Sequence, residues 1–92
     1  MTAVAAEPAP GEALFVHRCA MCHRDGGTGT FMLGRRLGPE RALLERRADL
    51  VPDYVRTVVR GGLNSMPPLS RVEVPDADLA AIAAYLARPV PR

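Results

Sequence analysis

The chain has no tryptophan and no lysine, and it carries only two cysteines, two phenylalanines and two tyrosines in 92 residues. These shortages narrow the reading. With Phe15, Phe31, Tyr54 and Tyr85 as the whole aromatic complement, the large flat groups that normally fill a core are scarce. A domain this small also buries a smaller fraction of its surface than a larger one does. A bound apolar cofactor would make up the deficit. No apolar run approaches the length needed to cross a bilayer, so no membrane insertion is expected. No segment alternates with the period of a strand, and no internal repeat is visible.

All twelve basic residues are arginine; against ten acidic residues they leave a formal charge of +2. That is too little for a dedicated nucleic-acid binder, which would show a basic stripe interleaved with stacking aromatics. The charge is uneven, however. Residues 31 to 60 hold seven arginines against four acids, while the flanking thirds are close to balanced. The opening "MTAVAAEPAPG" lacks the charged, apolar and cleavage regions of a secretory signal. Its alanine- and proline-rich composition reads as the loose start of an exported, mature chain. The expected organisation is a flexible arm over 1–10 and one domain over 11–92.

Within that domain the patterns are helical. "GEALFVHRCAMCH" places Leu14, Phe15, Arg18, Cys19 and Cys22 at the spacings of one helix face, which predicts a first helix from Gly11 to near His23. "RDGGTGTFMLGRRLG" holds five glycines in fifteen residues, which predicts an irregular loop. "PERALLERRADL" predicts a short second helix opened by Pro39. "VPDYVRTVVRGG" predicts a third: Pro52 and Asp53 open it, Tyr54, Val55, Val58 and Val59 supply its apolar face, and Gly61 and Gly62 close it. "LNSMPPLSRVEV", with consecutive prolines, cannot be helical through its centre. "PDADLAAIAAYLAR" predicts a last helix with Leu79, Ile82, Ala83 and Leu86 on one face and acids in its first turn. The expected fold is all-α, about four short helices among long loops.

The two cysteines fall in "FVHRCAMCHRDGG". On a helix, Cys19 and Cys22 lie one turn apart and His23 is four residues from Cys19, so all three converge on one compact object. C-x-x-C-H is the attachment signature of c-type haem: two thiols add across the porphyrin's vinyl groups and the adjacent imidazole reaches the iron. Three plainer readings compete. A redox disulfide normally opens a helix after a strand, and here an amphipathic helix precedes the pair. A zinc site built from His17, Cys19, Cys22 and His23 would crowd four ligands into seven residues and find no second ligand pair downstream. Chance recurrence of a short motif is the third.

Haem iron has a second axial position. His17 and Met21 lie on the attachment segment and cannot reach the far face. Met32 follows His23 by only nine residues and, beside Phe31 and Leu33, is expected to pack in the core. Met66 lies 43 residues beyond His23, follows a terminated helix and is stiffened by Pro67 and Pro68, the support that a weak thioether ligand needs. The expected haem-binding residues are therefore Cys19, Cys22, His23 and Met66, with His23 and Met66 on the iron. Arg56 and Arg60, on the helix before Met66, are candidate partners for a haem propionate.

With these residues in place the chain resembles a class I cytochrome c from Gly11 to Arg88. The resemblance implies that Gly11 and Phe15 on the first helix meet Tyr85 on the last where the two helices cross. A narrower resemblance rests on "GTFMLGRRLG", "ALLERRADLVPDYV" and "VRGGLNSMPPLSRVEVPDADLAAIAAYL". These look like the small cytochrome subunits of flavocytochromes of the p-cresol methylhydroxylase and eugenol hydroxylase type. It implies a periplasmic one-electron carrier, not an enzyme in itself, that takes electrons from a flavin-containing dehydrogenase of 4-alkylphenols, in a hetero-oligomer. The alternative is a freely diffusing carrier serving another dehydrogenase or a terminal oxidase. Peroxidase chemistry is disfavoured by the Met66 ligand. Arg35, Arg36, Arg41, Arg46 and Arg47 are candidates for docking an acidic partner; the plainer alternative is a solvated face, which is the preferred reading for Arg46 and Arg47.

Overall fold

The computed structural model describes residues 10–88. The expected arm therefore lies outside the described residues except for Pro10, which already belongs to the first helix. Five α-helices follow one another: α1 Pro10–Arg18, α2 Ala20–His23, α3 Thr28–Leu37, α4 Pro52–Gly61 and α5 Asp76–Ala87. Two single 3₁₀ turns, Pro39–Arg41 and Leu44–Arg46, connect α3 to α4. Among the described residues the one β-type pairing is an isolated antiparallel bridge between Leu63 and Met66. The fold is all-α, as the patterns require.

α1 and α5 cross at the centre. A Cβ on Gly11 would lie 2.0 Å from the Ala81 carbonyl oxygen and 2.7 Å from the Tyr85 Cβ, so only glycine lets the two backbones approach this closely. One turn on, Phe15 is fully buried, with its ring 5.9 Å from that of Tyr85 at 51°, a tilted aromatic pair. Leu79, Ile82, Ala83 and Leu86 complete this face of α5, and Val55 and Val59 bring α4 onto the same cluster. Burying an aliphatic side chain of this kind contributes roughly 1.5–3 kcal/mol before ordering costs. The ends of α4 and α5 follow from their sequences: Pro52 with Asp53 opens α4, and Asp76 with Asp78 complements the N-terminal dipole of α5.

Three expectations need correction. The first helix is interrupted, not continuous: Cys19 adopts φ −124° and ψ −22°, and α2 restarts after it. The glycine-rich segment is no loop, because α3 runs through it. Gly27, in extended conformation, stands at its N-cap position. Met32, Leu33, Arg35, Arg36 and Leu37 are good helix formers, and the two arginines fall in the last turn, where they favour the dipole. Each internal glycine costs this helix about 1 kcal/mol, and tertiary contact outweighs that.

The expected helix after Pro39 breaks into the two 3₁₀ turns, with Leu43 extended between them at φ −92° and ψ 118°. Its charged side chains explain the path. Glu45 is held by Arg24 at 2.9 and 2.7 Å and accepts a hydrogen bond from the Tyr85 hydroxyl. Asp49 is held by Arg47 at 2.9 Å and also by Arg41. The distant anchors of Glu45 and the local pairing at Asp49 fix a course that a regular helix does not follow.

Candidate haem site

The site is assembled where α1 gives way to α2. The Cys19 amide still bonds the Phe15 carbonyl at 2.7 Å, and the Cys19 carbonyl accepts from the amides of both Cys22 at 3.2 Å and His23 at 3.0 Å. The chain thus makes one tight turn with Cys19, Cys22 and His23 on it. Both cysteines are free thiols, Cys19 half-buried and Cys22 exposed. Burial pushes the Cys19 thiol up to about 11, against a smaller opposing pull from Arg18, so at neutral pH it stays protonated.

His23 is enclosed by the following helix. A Cβ on Gly29 would come within 2.7 Å of the Cys22 carbonyl oxygen and 2.9 Å of the imidazole Cε1, so the glycine lets α3 close over the ring. The Thr30 hydroxyl donates to the Arg24 carbonyl at 2.9 Å and pins that closure. The His23 Nδ1 is fully buried and has no hydrogen-bond partner. Burial lowers the imidazole's affinity for a proton, keeping the ring neutral with a lone pair to offer a metal. Arg24, next in the chain, is paired with Glu45 at 2.7 Å.

Met66 sits in the turn after α4. Its amide bonds the Leu63 carbonyl at 2.9 Å and its carbonyl accepts from the Leu63 amide at 3.0 Å, with Asn64 at φ 52° between them. Met66 and Cys19, 47 residues apart in the sequence, both pack against the one buried cluster. The other sulfur and imidazole candidates fare differently. Met21 is 89% exposed and His17 is exposed on α1. Met32, on α3, is 45% exposed and so does not fill the core as expected.

The donor set tests the cofactor. Among the described residues no three His, Cys, Asp or Glu side chains converge on a metal-sized point, which disagrees with a zinc site. One neutral imidazole, two unpaired thiols on one turn and one thioether in a fixed turn suit an iron whose four equatorial bonds come from a porphyrin. The residues present fit a covalently attached haem. Arg56 is paired with Asp53, whereas Arg60 is occupied by the Leu69 carbonyl and Asp76, two partners that sequence reasoning did not anticipate. Arg24 was likewise missed as a structural residue, and its place directly after the histidine was the available signal.

Comparisons with known proteins agree with this chemistry. The family model described as cytochrome C oxidase, cbb3-type, subunit III matches residues 6–86, a span that includes all four candidate residues. The chain is 36% identical over 86 residues to cytochrome c6 of Cyanidioschyzon merolae (strain NIES-3377 / 10D), covering 89% of this chain and 74% of that one. No solved structure matches it.

Proposed function

The chain belongs to the cytochrome c family, and from that premise we propose that His23 and Met66 are the axial ligands of its covalently held haem. Its function is one-electron transfer; it is not an enzyme. The haem is anchored through Cys19 and Cys22, and when bound it supplies a reversible one-electron couple at iron. The observation that supports Met66 is its packing, together with Cys19, against a single buried cluster.

The side chains set how that couple behaves. Cys19 and Cys22, on one tight turn, would hold the group covalently through two thioether links. His23, kept neutral by burial, offers its lone pair without first losing a proton. As a ligand, the soft sulfur of Met66 would favour the ferrous state, and the apolar cluster it packs against would disfavour the additional charge of the ferric state. A high midpoint potential is expected, and a strongly negative one in a potentiometric titration would contradict this ligand pair. Replacing Met66 by Ala should abolish the far-red absorption band of methionine-ligated ferric haem and open the iron to small ligands. A band that survives in this variant would transfer the role to Met32.

The electron donor in this reading is a flavin-containing dehydrogenase acting on 4-alkylphenols, in the periplasm. The support is the likeness of the segments 29–38, 42–55 and 59–86 to the cytochrome subunits of such flavocytochromes, together with the arrangement of surface charge. Arg41 and Arg47 are tied to Asp49, but Arg35, Arg36 and Arg46 have no carboxylate within ion-pair distance among the described residues. Arg35 lies over the ring of Phe31 at 5.7 Å, and that phenylalanine is 60% exposed. An exposed apolar ring beside an arginine without a carboxylate partner suits docking of an acidic partner. Copurification with a yellow flavoprotein tests this directly, and transfer rates should fall as salt is added. The family model named for an oxidase subunit favours a second reading, a carrier serving a terminal oxidase. Isolation without any flavin partner would favour that reading.

A further inference from the structure

We infer that Arg60 is the positioning residue that keeps the Met66 turn closed, acting through the carbonyl of Leu69 and not on the haem. The turn leaves α4 and comes straight back to it. At its start the Gly62 amide bonds the Val58 carbonyl at 2.7 Å, and at its end the Leu69 amide bonds the Val59 carbonyl at 2.7 Å. Both ends of residues 62–69 are thus fastened to the last turn of one helix. Between them, among the described residues, the backbone bonds only to itself, through Leu63 and Met66.

Arg60 adds the remaining fastening. Its Nη1 donates to the Leu69 carbonyl at 3.2 Å and its Nη2 to Asp76 at 2.7 Å. Among the described residues it is the one side chain hydrogen-bonded to the backbone from Gly62 to Leu69. Its side chain is 23% exposed, whereas Asp76 is 67% exposed. The second oxygen of Asp76 accepts from Arg71 at 2.9 Å. Asp76 therefore aims the guanidinium, and Arg60 joins the exit of the turn to the first turn of α5. A planar guanidinium can serve a carbonyl and a carboxylate at once, which an ammonium cannot do with the same geometry. Loss of Arg60 leaves Leu69 one bond to α4, and the turn carrying Met66 opens more often.

This inference rests on the reading of Met66 as an axial ligand, and the experiment separates the two. The ferric holoprotein is compared with Met66→Ala, Arg60→Ala, Arg60→Lys and Arg71→Ala. The readouts are the far-red methionine band, the affinity for added imidazole, which binds iron only when Met66 has left, and hydrogen exchange at the Leu69 amide. A hydrogen bond from a charged donor is expected to shift the open fraction about tenfold. Imidazole should therefore bind Arg60→Ala about tenfold more tightly, and the Leu69 amide should exchange faster by a similar factor. Exchange at Phe15 and Ile82 should stay unchanged, which separates a local opening from general destabilisation. Arg60→Lys should fall between, and it carries the same test should Arg60→Ala fail to mature. Arg71→Ala, which touches Asp76 but not the turn, should stay within about twofold of the parent. A parent protein without the methionine band overturns Met66 ligation and this inference with it. A parent band that Met66→Ala removes, with both Arg60 variants matching Arg71→Ala, overturns the role of Arg60 alone.

Discussion

The crossing of α1 with α5 and the stretch from Pro39 to Leu50 brace the same small domain by opposite means. At the crossing Phe15, Leu79, Ile82, Ala83 and Leu86 are at most 3% exposed, and shape decides the fit. Between Pro39 and Leu50 only Ala42 and Leu50 are buried, and charge decides the path. Apolar contact is indifferent to protons and salt but intolerant of volume changes. Ion pairs at a surface show the reverse behaviour. Tyr85 joins the two regions: its ring packs on Phe15 and its hydroxyl bonds Glu45.

The largest expected effect is at the crossing. Gly11→Ala should destabilise the ferric holoprotein by about 3 kcal/mol in denaturant unfolding, because the new methyl meets backbone on α5 and the helices must separate. A loss under about 1 kcal/mol would show that the crossing is not governed by shape.

Glu45→Gln comes next, at about 1 kcal/mol, since it keeps the side chain's size but removes the charge that Arg24 and Tyr85 share; the figure is discounted because Arg24 is 41% exposed. Its pH signature is more telling. Burial pushes the Glu45 carboxyl up, but the hydrogen bonds from Arg24 and Tyr85 outweigh it and hold the group below its ordinary value. The unfolded chain then binds the proton more readily. The contribution is complete above the ordinary carboxyl value and is lost as pH falls through the depressed one. On the alkaline side, burial and then the Glu45 hydrogen bond push the Tyr85 hydroxyl up to about 12 from 10.0. That contribution is present below 10 and lost as pH rises towards 12. Glu45→Gln should flatten both limbs of a stability–pH profile, while Gly11→Ala should lower the profile without changing its shape.

The smallest effect belongs to Arg41→Ala. Arg41 and Asp49 are 44% and 49% exposed, and Arg47 still holds the carboxylate. A change under about 0.5 kcal/mol that disappears in high salt is expected. A larger one, insensitive to salt, would mean that Arg41 contributes by packing.

The same contrast governs how much of the molecule was legible. α4, α5 and the C-x-x-C-H turn announce themselves through spacing and end signals, and the turn at Met66 through its prolines. The helix over Thr28–Leu37 was concealed by glycines, whose low propensity argues for a loop. Gly29 is there because α3 must pass against Cys22 and His23, a reason that exists only in three dimensions. The helix expected after Pro39 had the right formers, yet Glu45 answers to partners as far away as Arg24 and Tyr85. Arg60 looked like a residue for a propionate because its partners Leu69 and Asp76 lie outside its own helix.

What the amino-acid order determined by itself is local: which segments have a helical period, where their ends fall, and which thiols and imidazole share one turn. These properties depend on neighbours within about four residues, where geometry is set by the backbone. Tertiary structure alone decided which glycines are close approaches, which arginines are spent on carboxylates, and that Met66 and Cys19 meet one core. Those outcomes depend on contacts between residues tens of positions apart, and local propensities of well under 1 kcal/mol per residue yield to them.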